Sequence, residues 1–402
     1  MSLILGDYIE FISGPAFKSK NFTDNSDDIP LVKGDNLAQG YIKWEKSKYW
    51  PVKDTEQYEK YYLYPGDIVL AMDRPWVTAG LKFARIKEND PQSLVVQRVA
   101  RLRATNGMTQ DFLHSLVGSK SFEEYIKNIM GGTNVPHISP AQIKAYDFNV
   151  DKFSFEKIGL IYKTYTDLIE NNRRRIQLLE ESARLLYQEW FVQLRFPGHE
   201  QVKITDGIPE GWEPTLVPDV IDVNPRTPVE KGKEIWYVPM SSLSETAMTA
   251  NRADFELRTK HTNVKFKKND VLLARITPCL ENGKTGYAYF LDEDEVACGS
   301  TEFIVLRGKR LPSEFVYCLA RSYPFRENAI KSMTGSSGRQ RVQNSCFDKY
   351  SVPLPPNSIL EEFVEVVQSN FEQIRNLMTQ NAKLAQARDL LLPKLMSGEL
   401  TI

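Results

Sequence analysis

The chain repeats itself, and that repeat limits what it can fold into. GDIVL at residues 66–70 resembles NDVLL at 269–273, and each is followed by a polar loop with Arg and Pro, AMDRPW in one case and ARITPC in the other. Asp67 and Asp270 lie 203 positions apart. The same 203 separates Met130 from Met333 in a second match, DFLHSLVGSKSFEEYIKNIMGGT against EFVYCLARSYPFRENAIKSMTGS. A third joins Arg184-Leu185-Leu186 to Arg388-Asp389-Leu390 near 204, and GDYIEFISG at Gly6 loosely resembles PDVIDVNPR at Pro218. Shared apolar spacing can produce one such match by chance; one register kept over about sixty residues argues for a duplicated unit.

A length of 402 residues suits two domains of roughly 150 residues plus connecting structure. The first part of each half has short alternating apolar segments broken by Pro, Gly and Asn, the pattern of strands and loops. One helix follows in each, over 110–129 and 313–331, stopping at Gly131-Gly132 and Gly335. A longer pattern comes next. Phe155, Ile158, Tyr162, Tyr165, Ile169, Asn172, Ile176, Leu179, Ala183, Leu186 and Trp190 step by three and four. Leu360, Phe363, Val367, Asn370, Ile374, Leu377, Asn381, Leu384, Arg388, Leu391 and Leu395 do the same. Such heptad seams are those of a coiled coil. At about 1.5 Å per residue each helix would extend nearly 60 Å. A pseudo-twofold between the copies would make the helices antiparallel and bring Asn172 near Asn381. The fold class is therefore α+β: two similar mixed α/β domains with much β structure, 1–152 and 197–357, separated by two long antiparallel helices, 153–196 and 358–402. Gly198, Gly207, Pro209 and Gly211 mark the joint between the halves.

Signatures of chemistry are missing. No glycine-rich cofactor loop and no N-P-P-aromatic segment support a methyltransferase; Asn224-Pro225 continues as Arg226-Thr227. No G-x-x-x-x-G-K supports a nucleotide-driven motor, and Pro218-Asp219 with Glu230 lacks the lysine that a metal-dependent nuclease motif needs. Cys279, Cys298, Cys318 and Cys346 contain no C-x-x-C pair, and His114, His137, His199 and His261 form no local metal pair. The start lacks a secretory signal pattern and no apolar run reaches about 18 residues, which predicts a cytoplasmic protein without a membrane span. Lys plus Arg number 51 against 52 for Asp plus Glu, so any attraction to polyanions has to be local. Arg98, Arg101 and Arg103 form one basic cluster and Lys265, Lys267 and Lys268 another, while acidic residues such as Glu56, Glu59, Glu180 and Glu361 fall elsewhere.

In combination, several segments resemble the specificity (S) subunits of type I restriction-modification systems: IPEGW at 208–212, NDVLLARITPCLENGKTGYA at 269–288, the GGTNVPHIS and TGSSGRQRV turns, LLYQEWFVQLRF at 185–196 and the closing LLLPKLMSGEL. The likeness covers nearly the whole length. One departure is that the first copy has AMDRPW where the family commonly shows a loop with Gly and Lys. The resemblance implies a non-catalytic protein whose two target-recognition domains each read one half of a split site in double-stranded DNA. The helices would fix the gap and dock two methyltransferase subunits, with motor and nuclease subunits joining that core. Cofactors would belong to the partners: S-adenosylmethionine to the methyltransferase, ATP and magnesium to the motor and nuclease. An interaction scaffold with two β-rich ligand-binding domains on a coiled coil is the alternative, and an enzyme with degenerate motifs a third.

Residues that touch DNA divide into those that orient on phosphate and those that read base edges. Polar and basic residues just past a strand suit base reading: Arg275, Thr277, Glu281, Asn282 and Lys284 in the second copy, Asp73, Arg74 and Trp76 in the first. Small and hydroxylated residues in the turns suit phosphate, namely Gly131, Gly132, Thr133 and Asn134, and Thr334, Gly335, Ser336 and Ser337 with Arg339 and Arg341 following. If each turn precedes a helix, phosphate would sit at its N-terminus. An ordinary solvent loop is the competing reading for each. The aromatics of Trp44 to Tyr64 are assigned to packing.

Overall fold

The computed structural model describes residues 2–77, 80–129, 137–250, 252–336 and 338–400. It is a mixed α/β chain that divides into two compact units, one of Met1–Glu170 with Asn381–Ile402 and one of Asn171–Gln380.

The first unit holds two four-stranded sheets built from Ile9–Ser13 (β1), Ile29–Val32 (β2), Tyr49–Trp50 (β3), Tyr62–Leu63 (β4), Ile68–Ala71 (β5), Phe83–Arg85 (β6), Ser93–Val95 (β7) and Val99–Ala104 (β8). Their orders are β1-β8-β5-β6 and β3-β2-β7-β4. The second unit uses Ile221–Val223 (β9), Ile235–Val238 (β10), Glu256–Arg258 (β11), Val264–Lys267 (β12), Val271–Ala274 (β13), Thr285–Tyr287 (β14), Val296–Gly299 (β15) and Phe303–Gly308 (β16), in the orders β9-β16-β13-β14 and β11-β10-β15-β12. Position by position these orders correspond. In each unit the central pair of the second sheet is parallel, β7 on β2 and β15 on β10, and every other pairing in these sheets is antiparallel. Register follows too: Ile68 faces Leu102 as Val271 faces Leu306. Both strands β5 and β13 are buried at every residue, IVLA and VLLA, as strands covered on both faces must be.

The single helix expected after each β part is two. Gln110–Val117 (α1) is capped by the Thr109 hydroxyl and ends at Gly118, followed by Lys120–Ile129 (α2). A Cβ at Gly118 would sit 2.0 Å from the Tyr162 hydroxyl, so the close packing of that tyrosine fixes the break at a glycine. The long helix that follows is Phe155–Tyr187 (α3), which passes into a π turn at Gln188–Val192. The second unit breaks its pair between Ser313–Arg321 (α4) and Tyr323–Lys331 (α5), where Pro324 opens the new helix, and Asn357–Ser397 (α6) is its long helix. At about 1.5 Å per residue α3 and α6 are roughly 50 and 60 Å long.

No residue of either heptad series is exposed. In the first unit Phe155, Ile158 and Tyr162 share a core with Leu392 and Leu395, the Arg388 guanidinium lies 5.5 Å over the Tyr162 ring, and the Asn381 amide donates to the Ile169 carbonyl at 3.3 Å. In the second, Ile176, Ala183 and Tyr187 pack with Phe363, Val367, Ile374 and Leu377. There Asn370 donates to the Leu179 carbonyl and Asn172 to the Gln380 side chain, each at 3.4 Å. Within each unit one partner's number rises as the other's falls, so the packed helix segments are antiparallel.

Candidate nucleic-acid interface

The loops under consideration leave the ends of β5 and β13, and an acid–base pair fixes both strands. Gly66 and Asn269 precede them with φ of 94° and 67°, a left-handed conformation that Gly and Asn tolerate best. Next in the chain, Asp67 accepts both Nε and Nη2 of Arg103 and the Tyr64 amide at 2.9 Å. Asp270 accepts Nε and Nη2 of Arg307 at 2.7 Å each and the Lys267 amide at 2.8 Å. Both carboxylates are buried, and these bonds hold the two guanidiniums above the usual arginine range.

Past the strand ends the backbone again agrees between units while the charges do not. Ile138 donates to the Met72 carbonyl at 2.7 Å, and Val342 to the Arg275 carbonyl at 2.9 Å. Asp73 bridges His137 in the first unit as Ile276 bridges Arg341 in the second. In the first, the Asp73 carboxylate binds His137 Nδ1 and, at 2.7 Å, Arg98. In the second the acid has moved to the place of Arg98: Glu302 accepts Arg341 Nε at 2.9 and 3.0 Å and Nη2 at 2.8 Å. That bond raises the Arg341 pKa. Each unit thus clasps its loops with one carboxylate, mounted on a different loop.

Several proposed contacts are occupied. Arg275 donates to the Val342 carbonyl at 2.9 Å, Asn282 to Glu245 at 3.3 Å, and Lys284 to the Met240 carbonyl at 3.1 Å. Trp76 is half-buried in a hairpin with the Lys127 ammonium 4.9 Å over its ring. Thr277 donates its amide to the Gln340 carbonyl at 3.1 Å, and its hydroxyl is buried without a partner. Arg275, Thr277 and Arg341 are thereby gathered at one place. Ser336 accepts the Arg339 amide at 3.0 Å. The side chains of Arg74 and Arg339 are exposed, and neither forms an ion pair among the described residues. Glu281 is exposed as well. Thr133, Asn134 and Ser337, with Gly131 and Gly132, lie outside the described residues.

The structure corrects three expectations. The helix after the first turn, Pro140–Lys144, has five residues and is already capped by Ser139 and Gln142; that after the second, Asn344–Phe347, is a four-residue 3-10 turn. Neither offers the aligned free amides of a phosphate-binding helix start. Two of the three arginines in the first copy's basic cluster are committed internally, Arg101 onto the Lys60 and Tyr62 carbonyls and Glu10, Arg103 onto Asp67, while Arg98 is exposed and pairs with Asp73. Glu180 is buried, accepting the Tyr317 hydroxyl at 2.6 Å and the Met248 amide at 2.9 Å, and burial raises its pKa. Finally, the first copy does carry a Gly and Lys loop. Lys82 donates to the Gly34 carbonyl at 3.1 Å as Lys284 does to Met240, and its backbone carbonyl accepts Ala71 as that of Lys284 accepts Ala274. GLK at 80–82 is the match for NGK at 282–284, hidden because the first loop is one residue longer.

Residues 209–386 match the family described as type I restriction modification DNA specificity domain. The MjaIX specificity subunit of Methanocaldococcus jannaschii, a type I restriction enzyme component, is 26% identical over 311 residues, 74% of this chain and 70% of that protein. The EcoAI specificity subunit of Escherichia coli is 36% identical over 143 residues, 35% of this chain and 23% of its own length. In fold, the chain is similar to the crystal structure of the type I restriction-modification S subunit from M. genitalium, with a TM-score of 0.52 and 12% identity across 98% of this chain and 95% of that one.

Proposed function

We propose that this chain, a homologue of type I restriction-enzyme specificity subunits, selects the DNA target of such a complex and leaves the chemistry to its partners. The observation that carries this reading is the repeated unit: one strand order and one buried Asp–Arg pair occur twice, and each copy ends in a loop cluster whose charges are its own. Two copies of one scaffold with different loop ends suit two different half-sites on one duplex.

On this reading residues 1–152 and 197–357 are target-recognition domains, and α3 and α6 pair as an antiparallel coiled coil that spaces them and docks two methyltransferase subunits. The methyltransferases would bind S-adenosylmethionine and modify adenine; motor and nuclease subunits would use ATP and magnesium. Arg74 and Arg339 are the foremost direct contacts because their guanidiniums are exposed and form no ion pair among the described residues. Arg275, Lys82, Lys284 and Arg341 act by holding loops, Thr277 packs its buried hydroxyl among them, and Asn282 and Ser336 present amide and hydroxyl groups beside them. The complex is placed in the cytoplasm; among the described residues no helix is long and apolar enough to cross a membrane.

The test is co-expression with a type I methyltransferase subunit and mapping of methylated adenines across the host genome. A bipartite motif with a fixed gap is expected, changed in one half only when loop residues of one unit are substituted. Methylation that ignores this chain, or a contiguous motif, overturns the reading.

A further inference from the structure

In the second unit two arginines lie against one loop without an ion pair among the described residues; the buried Glu180 carboxylate feels the Arg321 charge, and no acid acts on Arg326. Arg321, at the end of α4, donates Nη1 to the Gly283 and Glu245 carbonyls at 2.8 and 3.1 Å and Nη2 to Thr246 at 3.1 Å. Arg326, in the first turn of α5, covers the other side of the glycine: a Cβ at Gly283 would sit 2.3 Å from its Nη1. Its Nε is buried without a hydrogen-bond partner, and neither arginine forms an ion pair among the described residues. Burial and the neighbouring Arg321 charge both lower the Arg326 pKa. A half-buried, unanswered cation beside a like charge is costly unless an anion joins it.

The first unit shows what this place looks like without that demand. Counting back by 203, Arg321 and Arg326 fall on Gly118 and Glu123. Glu123 pairs with Lys127, and the Ser119 hydroxyl accepts the Phe122 amide at 3.1 Å. The double positive charge therefore belongs to the second copy alone, and the scaffold does not require it.

We infer that Arg321 and Arg326 form an oxyanion subsite that takes a backbone phosphate of the duplex held by the second unit. This rests on the DNA-binding reading above and adds a site to it. Arg326 makes the contact through its uncommitted guanidinium, while Arg321 positions the Gly283 loop beneath it.

Two measurements on the full chain test it. In the first, thermal unfolding is followed in inorganic phosphate and in chloride of equal ionic strength. The wild type is expected to gain more from phosphate than R326Q, and R326Q to melt higher than the wild type in chloride because a repulsive charge is gone. In the second, binding to a mixed-sequence duplex is titrated against salt. R326Q is expected to bind about tenfold more weakly, with the log–log salt slope smaller by about 0.9, the signature of one lost phosphate contact. Y323E, an exposed position one turn before Arg326, supplies an internal carboxylate and should reproduce that loss even if R326Q is poorly folded. Equal phosphate responses with unchanged duplex affinity and slope overturn the subsite while leaving the DNA reading intact. A differential phosphate response with an unchanged slope overturns the duplex as its ligand in favour of free phosphate. If the wild type binds no duplex, the DNA reading itself fails and the phosphate arm alone decides whether the subsite exists.

Discussion

The two units agree where a residue sets the path of a strand and disagree where it meets solvent at a loop end. Asp67 with Arg103 and Asp270 with Arg307 are alike down to the backbone amide that completes each carboxylate. A few residues further on, the clasp is Asp73 with Arg98 and His137 in one unit and Glu302 with Arg341 in the other. Even inside the core one position has diverged: His114 stands 203 residues before Tyr317, the former buried against Tyr162, the latter donating to Glu180. A buried pair cannot be changed one partner at a time without leaving a charge unanswered, whereas a loop clasp at the surface can exchange its acid for its base and still close.

This contrast can be broken most directly at the shared pairs. D67A and D270A should each cost about 3–5 kcal/mol by leaving a guanidinium and a backbone amide unsatisfied, read as the shift in urea midpoint of the unit concerned. A loss at one site of under about 1 kcal/mol would show that the pairs are not equivalent. Acid should separate the units next. Burial depresses the His114 pKa from 6.5 to about 3, so its contribution is complete above 6.5 and is withdrawn as pH falls toward 3. Near pH 4 that amounts to roughly 3 kcal/mol. Glu180 runs the other way, because its raised pKa gives a contribution complete below 4.5 that is lost as pH rises. Denaturation curves from pH 7 to 4 should therefore flatten in H114Q, and an unchanged slope would count against a buried neutral imidazole.

At the loop ends the effects are smaller and concern binding. R339A should weaken duplex binding at all sequences by about 1.5 kcal/mol and reduce the salt slope by about 0.9, whereas R341K should keep the slope and blur the target motif by loosening the Glu302 clasp. Equal slopes for R339A and wild type would remove Arg339 from the interface. Smallest of all, G66A should cost about 1 kcal/mol for its left-handed backbone and N269G only a few tenths, checked by differential scanning calorimetry.

The repeat and both heptad series were legible because each is a pattern of apolar spacing, and spacing is what packing selects. The same kind of pattern overlooked the helix breaks at Gly118 and Ser322, since those follow from a tyrosine hydroxyl pressing on one and a proline opening the helix after the other. Loop residues were legible in position but not in role. Nothing in ARITPC tells that Arg275 is spent on a backbone carbonyl while Arg339 forms no ion pair among the described residues, because the partner of Arg275, Val342, arrives from 67 residues away. Lys82 was missed for a simpler reason, an extra loop residue that shifted it out of register with Lys284. The burial of Glu180 was not legible, because a lone acid on a helix gives no sign of the tyrosine that meets it.

The division of the chain has a consequence for its synthesis. The first unit is completed by residues 381–402, whose Leu392 and Leu395 belong to the same core as Phe155 and Ile158. A nascent chain emerging from the ribosome therefore cannot finish the part it made first until residues 381–402 are out, and premature termination near residue 380 would leave the N-terminal unit unsealed while the later-made one has all its residues.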